Sequence, residues 1–525
     1  MAAEIESSIK RERWGSRIGV IFAVMGSAIG LGNFLRFPGL AAKYGGGHFM
    51  IPYIVAFLLL GLPIAWAEWA TGRMGGKRGF SSSPGIFYAL WKNPGSPFLG
   101  ILGLMIPIGI YMYYVYVESW CLYYAISYLT GTMPGHGSSP EAFANFFSNY
   151  VGASEHGIVF KDGPGTALMM MLACFALNFV IIYRGLNKGI EFVSKYAIPI
   201  LFICAIGVLI RVLTLGSPMP DHPEQNVMNG LGFMWNPDLP LTESLQNTEM
   251  WLAATGQIFF SLSVGFGIII TYASYVHDDE DVVLSGTTSA AGNVFAEVAL
   301  GGMITIPAAF IFLGTNFETG TFGLGFVTLP NVFANMQFGH VVGFLWFFLL
   351  FIAAVTSSLS MLQPAIAFLE EGLGLGRRAS VTILGMITLM GSMLVVFFSA
   401  GFQALDLMDF WIGNVFIYIM ATIIIIFFGW GVGLQQGMQE AHHGALISIP
   451  RIFQFVMKYI APVYLIVVFT LWFTDNIGGY WDLMQDPEKG EAARYTVGFI
   501  VILGIFLSLL VFAAMRRWHR VNPQK

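Results

Sequence analysis

The chain has 525 residues, of which 56% are hydrophobic and only 10% charged, against roughly a quarter charged in an ordinary soluble domain. With 15% aromatics, 62 glycines and a mean hydropathy of +0.70, it reads as a multi-pass helical membrane protein, where glycine and aromatic residues are frequent. A formal charge of −5 with scattered basic residues excludes a nucleic-acid footprint, and the same composition excludes disorder and collagen.

Apolar segments of about 20 residues, long enough to cross the hydrocarbon core, recur along the whole sequence. About twelve are predicted, with cores at 17–42, 46–72, 97–128, 165–183, 190–213, 248–276, 286–314, 338–369, 379–399, 404–430, 452–474 and 495–515. The polar start, Met1 to Lys10, followed by a long glycine-interrupted run, does not resemble a cleavable signal. Cys121, Cys174 and Cys204 sit in apolar runs and read as buried free thiols rather than a disulfide framework or metal site.

Basic residues set the expected orientation. Lys10, Arg11, Arg13 and Arg17 precede the first span; Arg73, Lys77, Arg78 and Lys92 follow the second; Arg516, Arg517 and Arg520 follow the last. Arg184, Lys188, Arg377, Arg378 and Arg451 fall on the same side, whereas 214–247, 315–337 and 398–408 contain no lysine or arginine. Both termini are therefore expected in the cytoplasm.

The first span is interrupted by Gly26-Ser27-Ala28-Ile29-Gly30-Leu31-Gly32-Asn33, and the sixth by Ser261-Leu262-Ser263-Val264-Gly265-Phe266-Gly267. Glycines weaken helix interiors, and non-helical backbone at membrane depth survives only where protein, ions or water satisfy it. A single interruption fits close helix packing as well as a ligand site. Two, in corresponding positions of two five-span halves, point to a transporter site at the bilayer midplane. Half-helix N-termini there favour an anion and unwound carbonyls a cation, which suits a zwitterion carried with sodium.

The runs RERWGSR at 11–17, GSAIGLGNFLRFP at 26–38, YGGGHFMIPY at 44–53 and GLPIAWAEWATGR at 61–73 resemble the neurotransmitter:sodium symporter family. So do IYMYYVYVESW at 110–120, GQIFFSLSVGFG at 256–267, ITYASYV at 270–276, AAVTSSLSMLQP at 353–364 and LDLMDFW at 405–411, closest to bacterial leucine transporters. The resemblance implies an all-α integral membrane protein of the LeuT fold. Its 5+5 inverted repeat would place helices 1–5 in 17–213 and helices 6–10 in 248–430, with helices 1 and 6 discontinuous and helices 11 and 12 in 452–515. It further implies sodium-driven uptake by alternating access and leaves open a homodimer. Compact loops and short tails suggest, by analogy, a prokaryotic inner membrane.

Carried over position by position, the resemblance places a first sodium at Ala28, Asn33, Ser261, Asn293 and the substrate carboxylate. A second falls at Gly26, Ile29, Ala353, Thr356 and Ser357. Substrate would lie among Ala28, Leu31, Gly32, Ile110, Tyr114, Phe260, Ser261, Ser263, Phe266, Ser357 and Met361, with Tyr114 on its carboxylate. The apolar members imply a neutral hydrophobic amino acid, because a charged side chain would be buried unpaired. Ser27 stands where monoamine carriers have aspartate, which disfavours an amine lacking its own carboxylate.

The resemblance also implies that Glu297 replaces chloride, making transport chloride-independent. Arg36 and Asp409 match an outer gate, with Asp406 as a competitor, and Arg11, Trp14, Ser274 and Tyr275 match a cytoplasmic latch. Its acidic partner here is Glu371 in place of aspartate. Gly189 and Pro199 match the spacing that lets the fifth span unwind. Glu68 and Glu118 read as structural, Glu68 bonding the broken first helix. The chain lacks H-E-x-x-H, His442-His443 lack ligand partners at metal spacing, and Gly372, Gly374 and Gly376 read as a loop, so nothing points to an enzyme. The rival reading is a non-transporting sensor or a sodium channel on the same scaffold.

Overall fold

The computed structural model describes residues 12–521 apart from 92, 162–164, 238–241, 243–245, 316–319 and 488–489. It is all-helical. Among the described residues, ten helices are long and apolar enough to cross a membrane. In chain order, the spans are α1a (Arg17–Ala28) with α1b (Gly32–Lys43), α2 (Gly47–Lys77), α3 (Ser96–Thr130), α4 (Thr166–Tyr183) and α5 (Leu186–Leu213). Then come α6a (Thr248–Leu262) and α6b (Ile268–Ser274), followed by α7 (Val282–Leu313), α8 (Gly339–Leu373), α9 (Arg377–Phe397), α10 (Ala400–His442), α11 (Arg451–Gln485) and α12 (Glu491–Arg520). The α1 halves meet at a 50° bend and make an eleventh span. Neither half of the sixth, at 15 and 7 residues, is long enough to cross alone.

The first interruption is narrower than the glycine run suggests. The helix holds through Ala28, breaks at Ile29, whose backbone is extended, and resumes by Gly32–Arg36 as a π-helical turn. Gly26 thus lies inside α1a, where its missing side chain lets Thr356 of α8 approach: a Cβ there would sit 3.1 Å from the threonine Cβ. The sixth span breaks as expected, at Ser263, Gly265 and Gly267, with φ of 55°, 80° and 81°. Such left-handed backbone is easy for glycine and costly for most other residues.

The two broken helices face each other, Ser263 Oγ donating to the Ser27 carbonyl at 3.0 Å. Long α3 and α8 pass behind them. Cys121, Cys174 and Cys204 are buried free thiols. Several helices outrun the expected spans: α10 continues to His442 past Gly433, at φ 91°, and α11 to Gln485. A helix that has left hydrocarbon still satisfies its backbone, so apolarity alone underestimates its length.

Spans α2 and α6b touch backbone to backbone. A Cβ on Gly72 would lie 2.3 Å from the Ile270 carbonyl oxygen, and one on Gly76 2.3 Å from that of Ser274. Overpacking a tight contact costs about 1–3 kcal/mol. Gly72→Val should therefore lower the thermal unfolding midpoint of the detergent-solubilised protein, measured by dye-monitored melting. An unchanged midpoint would show that this contact carries no packing constraint.

Candidate functional site

At the centre, the breaks in α1 and α6 meet α3 and α8 around a pocket lined by Ser27, Ala28, Gly30, Gly32, Asn33, Tyr114, Phe260, Ser263, Phe266, Ser357 and Met361. Eight of the eleven substrate positions expected from sequence line it. Leu31 contributes backbone instead, its amide donating to Tyr114 Oη at 3.1 Å, while Ile110 and Ser261 are buried without lining it. Gly30 is required by closeness: a Cβ would fall 2.8 Å from Tyr114 Oη and 3.0 Å from Ser357 Oγ. The pocket measures about 10 Å³, room for roughly one water, so anything larger needs Phe260, Phe266 or Met361 to move. No charged side chain lines it.

Beside it, Asn33 Oδ1 accepts from the Gly30 amide at 2.9 Å, and Asn33 Nδ2 donates to Asn293 Oδ1 at 2.8 Å. Ser261 Oγ lies 2.6 Å from Asn293 Nδ2 and 3.4 Å from Asn33 Nδ2. The Asn293 amide is in conflict. As an oxygen, its Asn33-facing atom confronts the carbonyl oxygens of Ala28 at 3.1 Å and Ser261 at 3.3 Å; as a nitrogen, it confronts the Asn33 amide. Which atom is which is assigned from the hydrogen-bond network, and neither assignment satisfies it. A small cation among the Ala28, Ser261 and Asn293 oxygens removes the conflict, so this residue set fits one.

A second surplus of acceptors lies between α1a and α8. Ser357 Oγ is 3.2 Å from the Gly26 carbonyl, 3.3 Å from that of Ser27 and 3.5 Å from that of Ile29, although a hydroxyl carries only one proton. Thr356 Oγ1 is 3.0 Å from the Ala353 carbonyl. All five residues expected from sequence converge here, again a neutral oxygen cage suited to a monovalent ion.

Glu297, fully buried, accepts from Tyr53 Oη, Gln257 Nε2 and, at 2.8 Å, Ser261 Oγ. Ser261 thereby joins this carboxylate to the first cluster. Tyr53 and Gln257 were not identified from sequence; Gln257 stands one helical turn before Ser261 on α6a, a spacing that could have revealed it, whereas nothing in the sequence marks Tyr53. Glu68 departs from expectation: it accepts from the Gly265 amide at 3.0 Å, so it supports the broken sixth helix rather than the first. Glu118 accepts from Ser358 Oγ at 2.5 Å and Asn178 Nδ2 at 3.1 Å, tying α3 to α8 and α4.

The expected outer-gate pair is apart. Arg36 forms no ion pair with Asp409; its guanidinium lies 5.0 Å from the centroid of the Phe260 ring, while Asp409 accepts from Tyr113 Oη at 2.7 Å and Asn414 Nδ2 at 3.2 Å. These neutral donors satisfy the carboxylate, and Arg36 lines a cavity of about 470 Å³ with Leu252, Tyr418, Trp472 and Asp475. Phe260, with Arg36 above it, separates that cavity from the small pocket.

The opposite face, around Trp14, is closed. Trp14 is buried, its Nε1 donating to the Tyr272 carbonyl at 2.9 Å and its amide to that of Tyr275 at 3.3 Å. Ser274 Oγ donates to Thr271 O at 2.6 Å. Arg11 lies outside the described residues. Glu371 holds the turn at Ser81 and Ser82, accepting from the Ser82 amide at 3.2 Å and from the Ser82 hydroxyl, because those donors lie directly opposite it. Sequence reading missed further partners here: Glu191 accepts from the Gly15 amide and Ser16 Oγ, each at 2.8 Å, and Arg17 pairs with Glu280 at 3.0 Å. Burial raises the Glu280 carboxyl above its ordinary value, an effect Arg17 opposes. Gly189 lies in a π-helical turn, Leu186–Glu191, and Pro199 within the following helix.

The model of the sodium:neurotransmitter symporter family matches residues 11–141 and 136–517. A sodium-dependent transporter of Methanocaldococcus jannaschii is 30% identical over 488 residues, 90% of this chain and 94% of that protein. One from Haemophilus influenzae is 29% identical over 478 residues, 88% and 98% of the two chains. Among solved structures, MhsT in complex with L-phenylalanine superposes with a TM-score of 0.75 at 29% identity, covering 88% of this chain and 99% of that one. Fold and site define a sodium-dependent membrane transporter with the LeuT fold. The chain belongs to the sodium:neurotransmitter symporter family.

Truncating a buried tryptophan costs about 3–5 kcal/mol. Trp14→Ala should therefore speed hydrogen exchange at the Gly15 and Gly19 amides by about tenfold or more, read by mass spectrometry. Unchanged protection would mean the closure is held without the indole.

Proposed function

We propose that this protein is a sodium-coupled symporter of neutral, hydrophobic amino acids, working by alternating access and independent of chloride. The observation that carries the substrate class is the pocket: backbone and Tyr114 Oη at one end, Phe260, Phe266 and Met361 at the other, and no charged side chain. A substrate bringing its own carboxylate and ammonium meets hydrogen-bonding groups from both broken helices, while a charged side chain would stay unpaired among apolar groups. Ser27, at the pocket edge, offers an amine no countercharge. The phenylalanine held by MhsT supports the same class.

Sodium occupies the two acceptor-rich clusters. In the first, the substrate carboxylate completes the shell, which couples ion to substrate. Glu297 provides the fixed negative charge beside that site and stands in for chloride. The repeats 17–213 and 248–430 move against each other, and Arg36 and Asp409 approach as Phe260 closes over the substrate. Both termini lie in the cytoplasm of a prokaryotic cell, in accord with the lysine and arginine bias.

The test is uptake of radiolabelled leucine, methionine, phenylalanine and lysine into proteoliposomes under an inward sodium gradient. Saturable accumulation of the first three, unaffected when gluconate replaces chloride, is expected. Sodium-stimulated binding without uptake would favour the sensor, and non-saturating sodium flux the channel. Asn33→Ala should raise the sodium concentration for half-maximal uptake about tenfold or more, since it removes the amide that orients Asn293 Oδ1 and leaving a buried polar group unpaired costs about 1–3 kcal/mol; wild-type sodium dependence would remove the first site. Glu297→Ser should make uptake require chloride, and chloride-independent uptake by that variant would remove the role given to Glu297.

A further inference from the structure

Where α10 leaves the membrane, its helix is interrupted at Gly433 and restarts as Leu434–His442. The two faces of this short helix differ. Gly437, Met438 and Ala441 are buried, and Glu440 accepts from Arg73 Nε at 2.6 Å and Lys77 Nζ at 2.8 Å. Gln435, Gln436 and Gln439 point the other way and, with Trp430 and Lys458, line a cavity of about 740 Å³. The Lys458 ammonium lies 5.1 Å from the Trp430 ring centroid and 5.4 Å from that of Tyr459, and Trp430 Nε1 donates to the Lys458 carbonyl at 3.1 Å. Among the described residues no carboxylate pairs with this half-buried lysine.

Lys458 is seven residues into the helix that begins at Arg451, about 10 Å along its axis at 1.5 Å per residue. That depth places it where headgroups meet acyl chains. Deeper along α11, exposed Tyr459, Val463, Ile466 and Val467 recur at helical spacing and form an apolar stripe facing lipid. A cation held over two rings, three neutral amides and an adjoining apolar stripe match one ligand: a phosphodiester, hydroxyl donors and hydrocarbon tails in one molecule.

We propose that this cavity is a headgroup site for an anionic phospholipid with a hydroxyl-bearing head, of the phosphatidylglycerol type. Lys458 holds the phosphate, the glutamines hold the head hydroxyls, and the tails run down α11. Occupancy steadies the helix whose other face presents Glu440 to Arg73 and Lys77. The assignment is independent of which substrate is carried.

The test uses the full chain in phosphatidylcholine vesicles containing brominated phosphatidylglycerol or brominated phosphatidylcholine, which quench tryptophan on contact. The Trp430 component is isolated by subtracting Trp430→Phe. Brominated phosphatidylglycerol is expected to be preferred about fivefold, the equivalent of about 1 kcal/mol for one lysine near a membrane surface. Lys458→Gln should abolish the preference and Lys458→Arg retain it. Equal quenching of the wild-type component by the two lipids overturns the proposal without any variant. Loss of the preference in excess inorganic phosphate would also overturn it, by showing a site for a soluble anion.

Discussion

Breaking a helix inside a membrane strands backbone donors and acceptors where no bulk water can reach them, and the centre of this protein is organised around answering them. Ser357 spends one proton among the carbonyls of Gly26, Ser27 and Ile29. Tyr114 accepts from Leu31 and Glu68 from Gly265. After these bonds are made, acceptors remain in excess at two places. The two oxygen-rich clusters are thus the unfinished part of the same accounting of backbone groups that makes the breaks tolerable.

Many of the side chains that complete the accounting, Glu68, Tyr114, Asn293 and Ser357 among them, come from α2, α3, α7 and α8, while Asn33 and Ser263 come from the broken helices themselves. Ser261 is the point where three demands meet, since it bonds Asn293, Asn33 and Glu297. Tyr53, Gln257 and Ser261 satisfy the Glu297 carboxyl without a cation in direct contact. Small displacements of α6a therefore alter the first oxygen cluster and the Glu297 environment together.

Much of this was legible in the sequence. The spans follow from apolar length and the two breaks from glycine clusters, because both are local properties. The oxygen clusters and most of the pocket followed from a resemblance that keeps its residues in order across nearly the whole chain. What was not legible depends on which neighbour arrives first. Asp409 could have met Arg36, but Tyr113 and Asn414 are closer. Glu191 lies far from Gly15 in sequence and shares no pattern with it. Gly26 shows the opposite limit, for a glycine that looks like a helix breaker serves instead to bring two helices together.

The backbone contact of α2 with α6b has a mechanical meaning. Gly72 and Gly76 leave no side chain between the two helices to deform, so a displacement of either backbone normal to the contact is passed directly to the other. Helix α2 has 31 residues and is about 46 Å long at 1.5 Å per residue. Pivoting near its middle, it works as a lever: a tilt of about 5° carries each end about 2 Å in opposite directions. Because α6b is joined to α6a through the left-handed backbone at Ser263, Gly265 and Gly267, such a tilt reaches α6b at the end of the helix break.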